Sequence, residues 1–182
     1  MKELEWRLLK KLIPQKSVRS IYEIDVQALW DTGIRGIITD LDNTLVGAKH
    51  PEATPELLAW LKALQTIGFR VVIVSNNTRL RVSRFSEPLS IPYIFRAKKP
   101  GNAAFRKAMS IMSLAPNETV VIGDQMLTDV LGGNRLGLFT ILVTPIEPGD
   151  EGFFTKINRR IEKAALLWMK RRGMMEWEDR RP

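Results

Sequence analysis

Five short runs of apolar, β-branched residues constrain the fold of this chain more than any other feature of its sequence. They occupy residues 34–39, 70–74, 93–95, 119–122 and 139–143. The runs are rich in Ile and Val, are bounded by Gly, Asp or Pro, and are mostly continuous rather than alternating with polar residues. This pattern predicts strands that are buried on both faces, as in a parallel β-sheet.

Segments with helical periodicity separate these runs. After Pro55, three leucines at helical spacing, Leu57, Leu61 and Leu64, form an apolar stripe that ends at Gly68. A second stripe consists of Ala104, Phe105, Ala108, Met109 and Met112. The alternation of strands and helices predicts a doubly wound, Rossmann-like α/β domain with a parallel sheet of about five strands.

Polar segments directly follow four of the predicted strands. They are Asp40-Leu41-Asp42-Asn43-Thr44, Ser75-Asn76-Asn77, Lys99-Pro100, and Gly123-Asp124-Gln125 with Asp129 behind it. Open α/β sheets assemble their sites at the carboxyl ends of the strands. We therefore expect these segments to form one site, and their residue types indicate phosphoryl transfer.

Asp40 and Asp42 are two residues apart where a strand meets a loop. Because side chains in extended chain repeat every two residues, both carboxylates can project towards the same cleft. One can then attack phosphorus while the other protonates the leaving oxygen and later activates water. The alternative is a solvated turn in which Asn43 and Thr44 supply local hydrogen bonds.

A divalent cation is the expected cofactor of this cleft. Mg²⁺ prefers oxygen ligands, and we expect it between Asp40, a backbone carbonyl near Asp42, and Asp124 from the fourth strand. Asp129 lies five residues after Asp124 and makes an acidic pair with it. The alternative role for Asp124 is an ordinary helix N-cap.

Ser75, Asn76 and Lys99 are the candidate phosphate-binding residues. The Ser75 hydroxyl and the amides that follow it can hold phosphoryl oxygens, and the Lys99 ammonium can neutralise their charge. Equally, Ser75-Asn76-Asn77 has the composition of a turn, and most lysines, such as the neighbouring Lys98, are only solvated.

In this order, these residues resemble the four motifs of the haloacid dehalogenase superfamily across residues 34–145. The resemblance implies that Asp40 is the nucleophile, which forms an aspartyl-phosphate, and that Asp42 is the general acid and base. It also implies that Ser75 and Lys99 bind the phosphoryl group and that Asp124, with Asp129, completes the Mg²⁺ site. The short spacings between the motifs leave no room for an inserted cap domain, so we expect a minimal, capless domain with an open site.

The chain more closely resembles the YqeG-type, class IIIA phosphatases, which include phosphatidylglycerophosphate phosphatases. The residues outside the four motifs that carry this resemblance are Pro14, Ser20-Ile21-Tyr22-Glu23-Ile24, Arg81-Val82, Gly132-Gly133-Asn134-Arg135 and Thr155-Lys156-Ile157-Asn158-Arg159. The resemblance implies removal of the terminal phosphate from phosphatidylglycerophosphate. Arg81 and Arg135 are candidates for binding the lipid phosphodiester, although surface salt bridges are an alternative role for either arginine.

Length and composition predict one domain over residues 1–182 with a core at about 21–146. The absence of cysteine excludes a disulfide framework and a thiolate zinc site. The amino end lacks an apolar signal segment, and no stretch approaches the roughly 20 apolar residues that span a bilayer. We therefore expect a cytoplasmic protein that associates peripherally with the inner face of the membrane.

The net charge of +8 is concentrated at the two ends of the chain. Residues 1–20 carry six Lys or Arg against two Glu, and residues 153–182 carry nine against four acidic residues. Residues 21–152 have a net charge of −1. Ile157, Ile161 and Trp168 mark the apolar face of a predicted basic amphipathic helix. The basic ends predict an anionic surface as partner, and a lipid membrane fits the resemblance.

Three alternatives stay open at this point. The basic terminal helices can pack on the domain's own sheet instead of on lipid. The enzyme can act on a soluble phosphate ester or on a nucleic-acid 3′-phosphate, whose backbone would then bind the basic ends. Finally, the domain can be a non-catalytic adaptor that binds an anionic surface, although an adaptor has no need of Asp40.

Overall fold

The computed structural model describes residues 9–147. The predicted amphipathic helix around Ile157–Trp168 and the first eight residues lie outside this range. Within it the chain forms a single six-stranded sheet in which all neighbouring strands are parallel. The predicted α/β class with a parallel sheet is therefore confirmed.

The order of the strands across the sheet is β1-β6-β5-β2-β3-β4. Their bounds are β1 Lys16–Val18, β2 Gly36–Thr39, β3 Arg70–Val74, β4 Tyr93–Ile94, β5 Thr119–Gly123 and β6 Phe139–Val143. The last five correspond to the five predicted apolar runs. The first is an additional edge strand, so the sheet has six strands rather than about five. It was missed because Lys-Ser-Val is short, partly polar and largely exposed.

Five α-helices connect the strands. Their bounds are α1 Val26–Asp31, α2 Pro55–Ile67, α3 Arg79–Ser86, α4 Asn102–Met112 and α5 Leu131–Arg135. The Thr54 side chain caps α2 by accepting a hydrogen bond from Leu57 N, and Gly68 ends it with φ = 110°, a conformation that favours glycine. Both predicted helical stripes are confirmed, because every residue in them is buried.

The core lies on both faces of the sheet because side chains alternate along each strand. Ile37 and Ile122 point to the face covered by α1 and α2, whereas Ile38 and Val121 point to the face covered by α4. Phe105 of α4 is fully buried in the core on this second face. This packing fixes β2 and β5 as neighbouring central strands.

The connections after the first and second motifs are short. Between β2 and β3 the chain adds a loop and α2, and between β3 and β4 it adds α3 and a turn at Glu87–Leu89. Neither connection contains a separate domain, which confirms the predicted capless architecture. Within residues 9–147, the helices are too short or too polar to cross a bilayer.

Candidate active site

The carboxyl ends of the central strands bring four predicted segments together. Asp40 directly follows β2, Ser75 follows β3, and Asp124 follows β5. Thr39, the last residue of β2, is level with Ile73 on one side and Ile122 on the other. Asp40 therefore emerges between the other two segments, with its backbone N–H donating to the carbonyl of Ile122 at 2.9 Å.

Lys99 links two carboxylates at this edge. Its Nζ lies 2.6 Å from Asp40 Oδ1 and 2.7 Å from Asp129 Oδ1. The side chains of Lys99 and Asp129 are each only 2% exposed, and that of Asp40 is 7% exposed. Lys98 is exposed. The structure therefore brings Lys99, rather than its neighbour, to the acidic residues.

Burial and charge act on the ionisation of Asp40 and Lys99. Burial raises the pKa of Asp40 from 3.8 to about 7; Lys99 opposes this shift, whereas Asp129 and Asp42 add to it. Burial alone lowers the pKa of Lys99, but the Asp129 and Asp40 carboxylates outweigh it and raise that pKa above its usual value. Lys99 thus stays charged, while Asp40 binds a proton more readily than an exposed aspartate does.

Metal-free protein is expected to lose stability, relative to the variant Asp40→Asn, as pH rises between about 4 and about 7. Over this range the unfolded chain has released the proton of Asp40 while the folded protein retains it, since the folded pKa is raised from 3.8 to about 7. Each unit by which the pKa is raised corresponds to about 1.4 kcal/mol. Urea unfolding of both proteins in EDTA at several pH values measures the difference. Parallel pH profiles would contradict the raised pKa.

Asp42 is held by side chains from the next connection. Arg81 donates from Nε to Asp42 Oδ1 at 2.9 Å, and Asn77 Nδ2 donates to Asp42 Oδ2 at 2.8 Å. Arg81 Nη2 also lies 2.9 Å from Asp42 Oδ1. Both carboxylate oxygens are therefore engaged, which fixes the orientation of Asp42 beside Asp40.

Ser75 and Asn76 shape the loop that faces Asp40. The Ser75 hydroxyl accepts from the Asn77 N–H at 3.1 Å and keeps its own proton to donate. The Asn76 side chain accepts from Lys99 N at 2.8 Å and donates to Lys99 O at 3.3 Å. The Asn76 side chain thus fixes the backbone of Lys99, and the expected contact of the amides after Ser75 with phosphoryl oxygens stays a prediction. Ser75 directly follows β3, and its role in phosphate binding stays a prediction.

A π-helical turn at Met126–Val130 carries Asp129 back towards the strand ends. Asp129 Oδ2 accepts from Gln125 N at 3.3 Å and from the Thr128 hydroxyl at 3.2 Å. Gly123 makes this approach possible, because a Cβ atom at that position would collide with the Asp129 carboxylate. The alternative of Asp124 as helix N-cap is not observed, since Gln125 occupies the cap position.

Carboxylate oxygens of Asp40, Asp124 and Asp129 lie within 4.8 Å of one another. Three buried carboxylates with one ammonium leave an excess of negative charge, and hard oxygen donors at this spacing fit a divalent cation such as Mg²⁺. The Thr44 hydroxyl donates to Asp124 Oδ1 at 3.3 Å and orients it. The carboxylate of Asp42 instead pairs with Arg81; the expected ligand near Asp42, a main-chain carbonyl, stays a prediction.

The structure does not bring Arg135 to this site. It is an exposed residue at the end of α5, four residues before β6 begins, and so lies towards the opposite edge of the sheet. Its predicted contact with a substrate headgroup therefore has no support from the arrangement of the described residues. Arg81, the other candidate, lies at the site.

Two asparagines have roles at this site that the sequence does not predict. Asn77 orients Asp42, and Asn43, with φ = 65°, bends the loop after the nucleophile position. The Asn43 carbonyl accepts from Ile146 N at 3.1 Å, which ties this loop to the chain after β6. Asn tolerates the left-handed conformation better than most residues, and this preference is the available sequence signal.

The arrangement has the parts that phosphoryl transfer requires. It combines a buried carboxylate at a strand end, a second oriented carboxylate two residues later, a buried cation and a set of oxygen ligands for a metal ion. Such groups can supply a nucleophile, a proton donor and charge stabilisation at one place.

Comparison with known proteins agrees with this chemistry. Residues 96–145 match the HAD-hydrolase-like family model. A Bacillus subtilis protein named "Probable phosphatase YqeG" is 49% identical over 173 residues, which cover 94% of this chain and 100% of that protein. Chloroplastic phosphatidylglycerophosphate phosphatase 1 of Chlamydomonas reinhardtii is 31% identical over 169 residues. The match covers 87% of this chain but only 61% of the algal protein.

A solved structure shares the fold. The cobalt-bound deoxy-D-mannose-octulosonate 8-phosphate phosphatase of Haemophilus influenzae superposes with a TM-score of 0.51 at 16% identity. The superposition covers 81% of this chain and 92% of that one. At this identity the likeness concerns the fold alone.

Proposed function

The chain belongs to the YqeG-type phosphatases of the haloacid dehalogenase superfamily, and from this membership we propose that it removes the terminal phosphate of phosphatidylglycerophosphate. The observation that carries the reaction class is the buried group of Asp40, Lys99 and Asp129, with Asp42 oriented beside it. The observation that favours the lipid substrate is the likeness to the algal phosphatidylglycerophosphate phosphatase over most of this chain.

In the proposed reaction, a carboxylate oxygen of Asp40 attacks the phosphorus atom. The bond from phosphorus to the ester oxygen breaks, and Asp42 gives its proton to that oxygen. Asp42 then takes a proton from water, which attacks the aspartyl-phosphate and releases inorganic phosphate and free Asp40. Arg81 approaches Oδ1 of Asp42 through both Nε and Nη2, whereas Oδ2 accepts a single hydrogen bond from Asn77, so the second lone pair of Oδ2 can carry the transferred proton.

Mg²⁺ is the proposed cofactor. Asp40, Asp124 and Asp129 would supply oxygen ligands, together with the predicted main-chain carbonyl near Asp42, and Thr44 supports Asp124. When bound, a divalent cation in this position offsets the negative charge of the phosphoryl oxygens. Lys99 contributes a fixed positive charge to the same place, and the Ser75 hydroxyl is a donor for a phosphoryl oxygen.

The surroundings of the site suit a large substrate. Between Asp40 and Lys98 the chain forms β3, β4, the helices α2 and α3, and the turns and loops that join them, so the described chain places no inserted domain over the site. Arg81 Nη1 is buried and makes no hydrogen bond within residues 9–147. A second phosphate of the substrate is a suitable acceptor for this donor, in keeping with the role predicted for Arg81.

We further propose that the enzyme works at the cytoplasmic face of a membrane, because the proposed substrate is a membrane lipid. The basic charge at residues 1–20 and 153–182 supports such a location.

The test is phosphate release, with Mg²⁺ and with EDTA, from three substrates: phosphatidylglycerophosphate in vesicles, a 3′-phosphorylated oligonucleotide and a soluble sugar phosphate. We expect Mg²⁺-dependent release, with the lipid preferred over the other two by at least about 100-fold in kcat/KM. Preference for another ester would contradict the lipid substrate but not the mechanism. Inactivity on all three would favour the non-catalytic alternative.

A further inference from the structure

A cationic and apolar surface lies beside the candidate site, and we call it the α3 patch. It consists of Arg79 and Leu80 in the first turn of α3, together with Phe95, Arg96 and Lys98 after β4. All five residues are exposed. Among the large apolar side chains of residues 9–147, Leu80 is the most exposed, at 78%.

Hydrogen bonds connect the α3 patch to the site. Arg96 N donates to the carbonyl of Asn77 at 2.9 Å, and Asn77 Nδ2 donates to Asp42. Lys98 directly precedes the buried Lys99. The patch therefore lies at the carboxyl edge of the sheet, which is the edge that a substrate must approach.

The charge of this region is one-sided. Residues 78–98 contain five Lys or Arg and one acidic residue, Glu87, which accepts a hydrogen bond from Tyr93 at 2.7 Å. The Arg79 guanidinium lies 6.0 Å from the centre of the Phe95 ring. Exposed aromatic and aliphatic side chains among cations are the combination that binds the interface of an anionic bilayer.

We propose that the α3 patch docks this domain on an anionic lipid bilayer. Leu80 and Phe95 enter the boundary between headgroups and acyl chains, and the three cations pair with lipid phosphates. This orientation turns the carboxyl ends of the strands towards the headgroup plane. The functional meaning of the orientation rests on the proposed lipid substrate, whereas the contact with lipid can be measured without it.

A bilayer fits these residues better than a nucleic acid does. Phe95 and the cations are suited to either partner, because aromatic rings stack on bases and cations pair with backbone phosphates. Leu80, however, is an aliphatic side chain in a helix, and only a bilayer offers an apolar phase that would remove it from water.

The first experiment uses the absence of cysteine from the chain. The full-length variants Leu80→Cys and Ile111→Cys are each labelled with a polarity-sensitive dye and mixed with vesicles of phosphatidylcholine containing phosphatidylglycerol. Ile111 is a matched control, since it is also an exposed helical residue, at 44%, but lies at the end of α4, towards the opposite edge of the sheet. We expect a blue shift and increased emission for the dye at position 80 only.

The second experiment compares two double variants with the same change in charge. Leu80→Ser with Lys98→Glu alters the patch, and Ile111→Ser with Lys107→Glu alters α4. We expect the patch variant to bind the vesicles at least about tenfold more weakly and to hydrolyse phosphatidylglycerophosphate in vesicles correspondingly less. Both variants should hydrolyse a monomeric, short-chain form of this lipid like the unmodified protein.

Several outcomes would overturn the proposal. One is an equal spectral change of the dye at positions 80 and 111. Another is an equal loss of vesicle affinity in both double variants. A third is a patch variant that loses affinity for a single-stranded oligonucleotide but not for vesicles. If the unmodified protein hydrolyses neither form of the lipid while position 80 still reports insertion, the proposed substrate is wrong and the docking surface is supported.

Discussion

Substitution of Asp40 by Asn is expected to reduce phosphate release by at least about 10,000-fold while leaving the fold intact. Asn has nearly the same shape as Asp and still accepts a hydrogen bond from Lys99, so the buried network keeps its geometry. It cannot form the aspartyl-phosphate, and it removes one charged oxygen ligand from the metal group. Phosphate release and circular dichroism measure the two effects separately.

The variant Asp31→Asn is the matched control for this experiment. Asp31 is exposed in α1 and accepts a hydrogen bond from Gln27 at 2.9 Å, so its substitution should change neither activity nor fold. A further variant, Asp42→Asn, tests whether Asp40 is the nucleophile or only a metal ligand. Because this variant should hydrolyse the aspartyl-phosphate slowly, the phosphorylated enzyme should accumulate, and mass spectrometry can then identify the residue that carries the phosphate. Phosphate found on a residue other than Asp40, or near-normal activity of Asp40→Asn, would refute the assignment.

Substitution of Lys99 by Met should lower the free energy of unfolding of the metal-free protein by about 3–5 kcal/mol at neutral pH. It leaves the Asp40 and Asp129 carboxylates buried within about 3 Å of an apolar group instead of their shared cation. The loss should shrink in mildly acidic buffer, because burial raises the pKa of Asp40 to about 7 and its carboxyl group is then protonated. Activity should also disappear, because among residues 9–147 Lys99 is the cation that pairs with Asp40 and Asp129.

Lys98→Met is the matched control, because Lys98 is the preceding residue and is exposed. Its effect on the free energy of unfolding should stay within about 0.5 kcal/mol. Urea unfolding of the two variants in EDTA provides the comparison. Similar stability of both would mean that the two ion pairs of Lys99 add nothing to the folded state.

The sequence predicts this fold well because strand burial and helix periodicity are local signals. Continuous Ile and Val runs mark β2, β3, β5 and β6, and the leucine stripe marks α2 within one residue of its observed limits. The edge strand β1 lacks such a signal. Its pairing depends on the hydrogen-bonding edge that β6 offers on the side away from β5, and not on the composition of Lys16–Val18 itself.

The site follows from the sequence only in part. That Asp40, Ser75, Lys99 and Asp124 lie at strand ends is a consequence of topology, which the order of the elements already implies. The direction of a side chain in a loop depends on the local backbone, so the contacts of Asn76 with Lys99 and of Asn77 with Asp42 required coordinates. The position of Asp129 likewise depends on a π-helical turn and on the space left by Gly123.

The edge position of β1 determines where this chain can be shortened without damage. Gln15 accepts from Thr140 N at 2.7 Å through its side chain, and β1 then covers the outer side of β6. Truncation beyond residue 15 would leave the hydrogen-bonding groups of β6 unpaired, and exposed strand edges promote aggregation. A deletion that ends before residue 9 keeps Gln15 and β1 in the chain while removing Lys2 and Arg7. Only such a shorter deletion can separate the contribution of the amino-terminal charge from the integrity of the sheet.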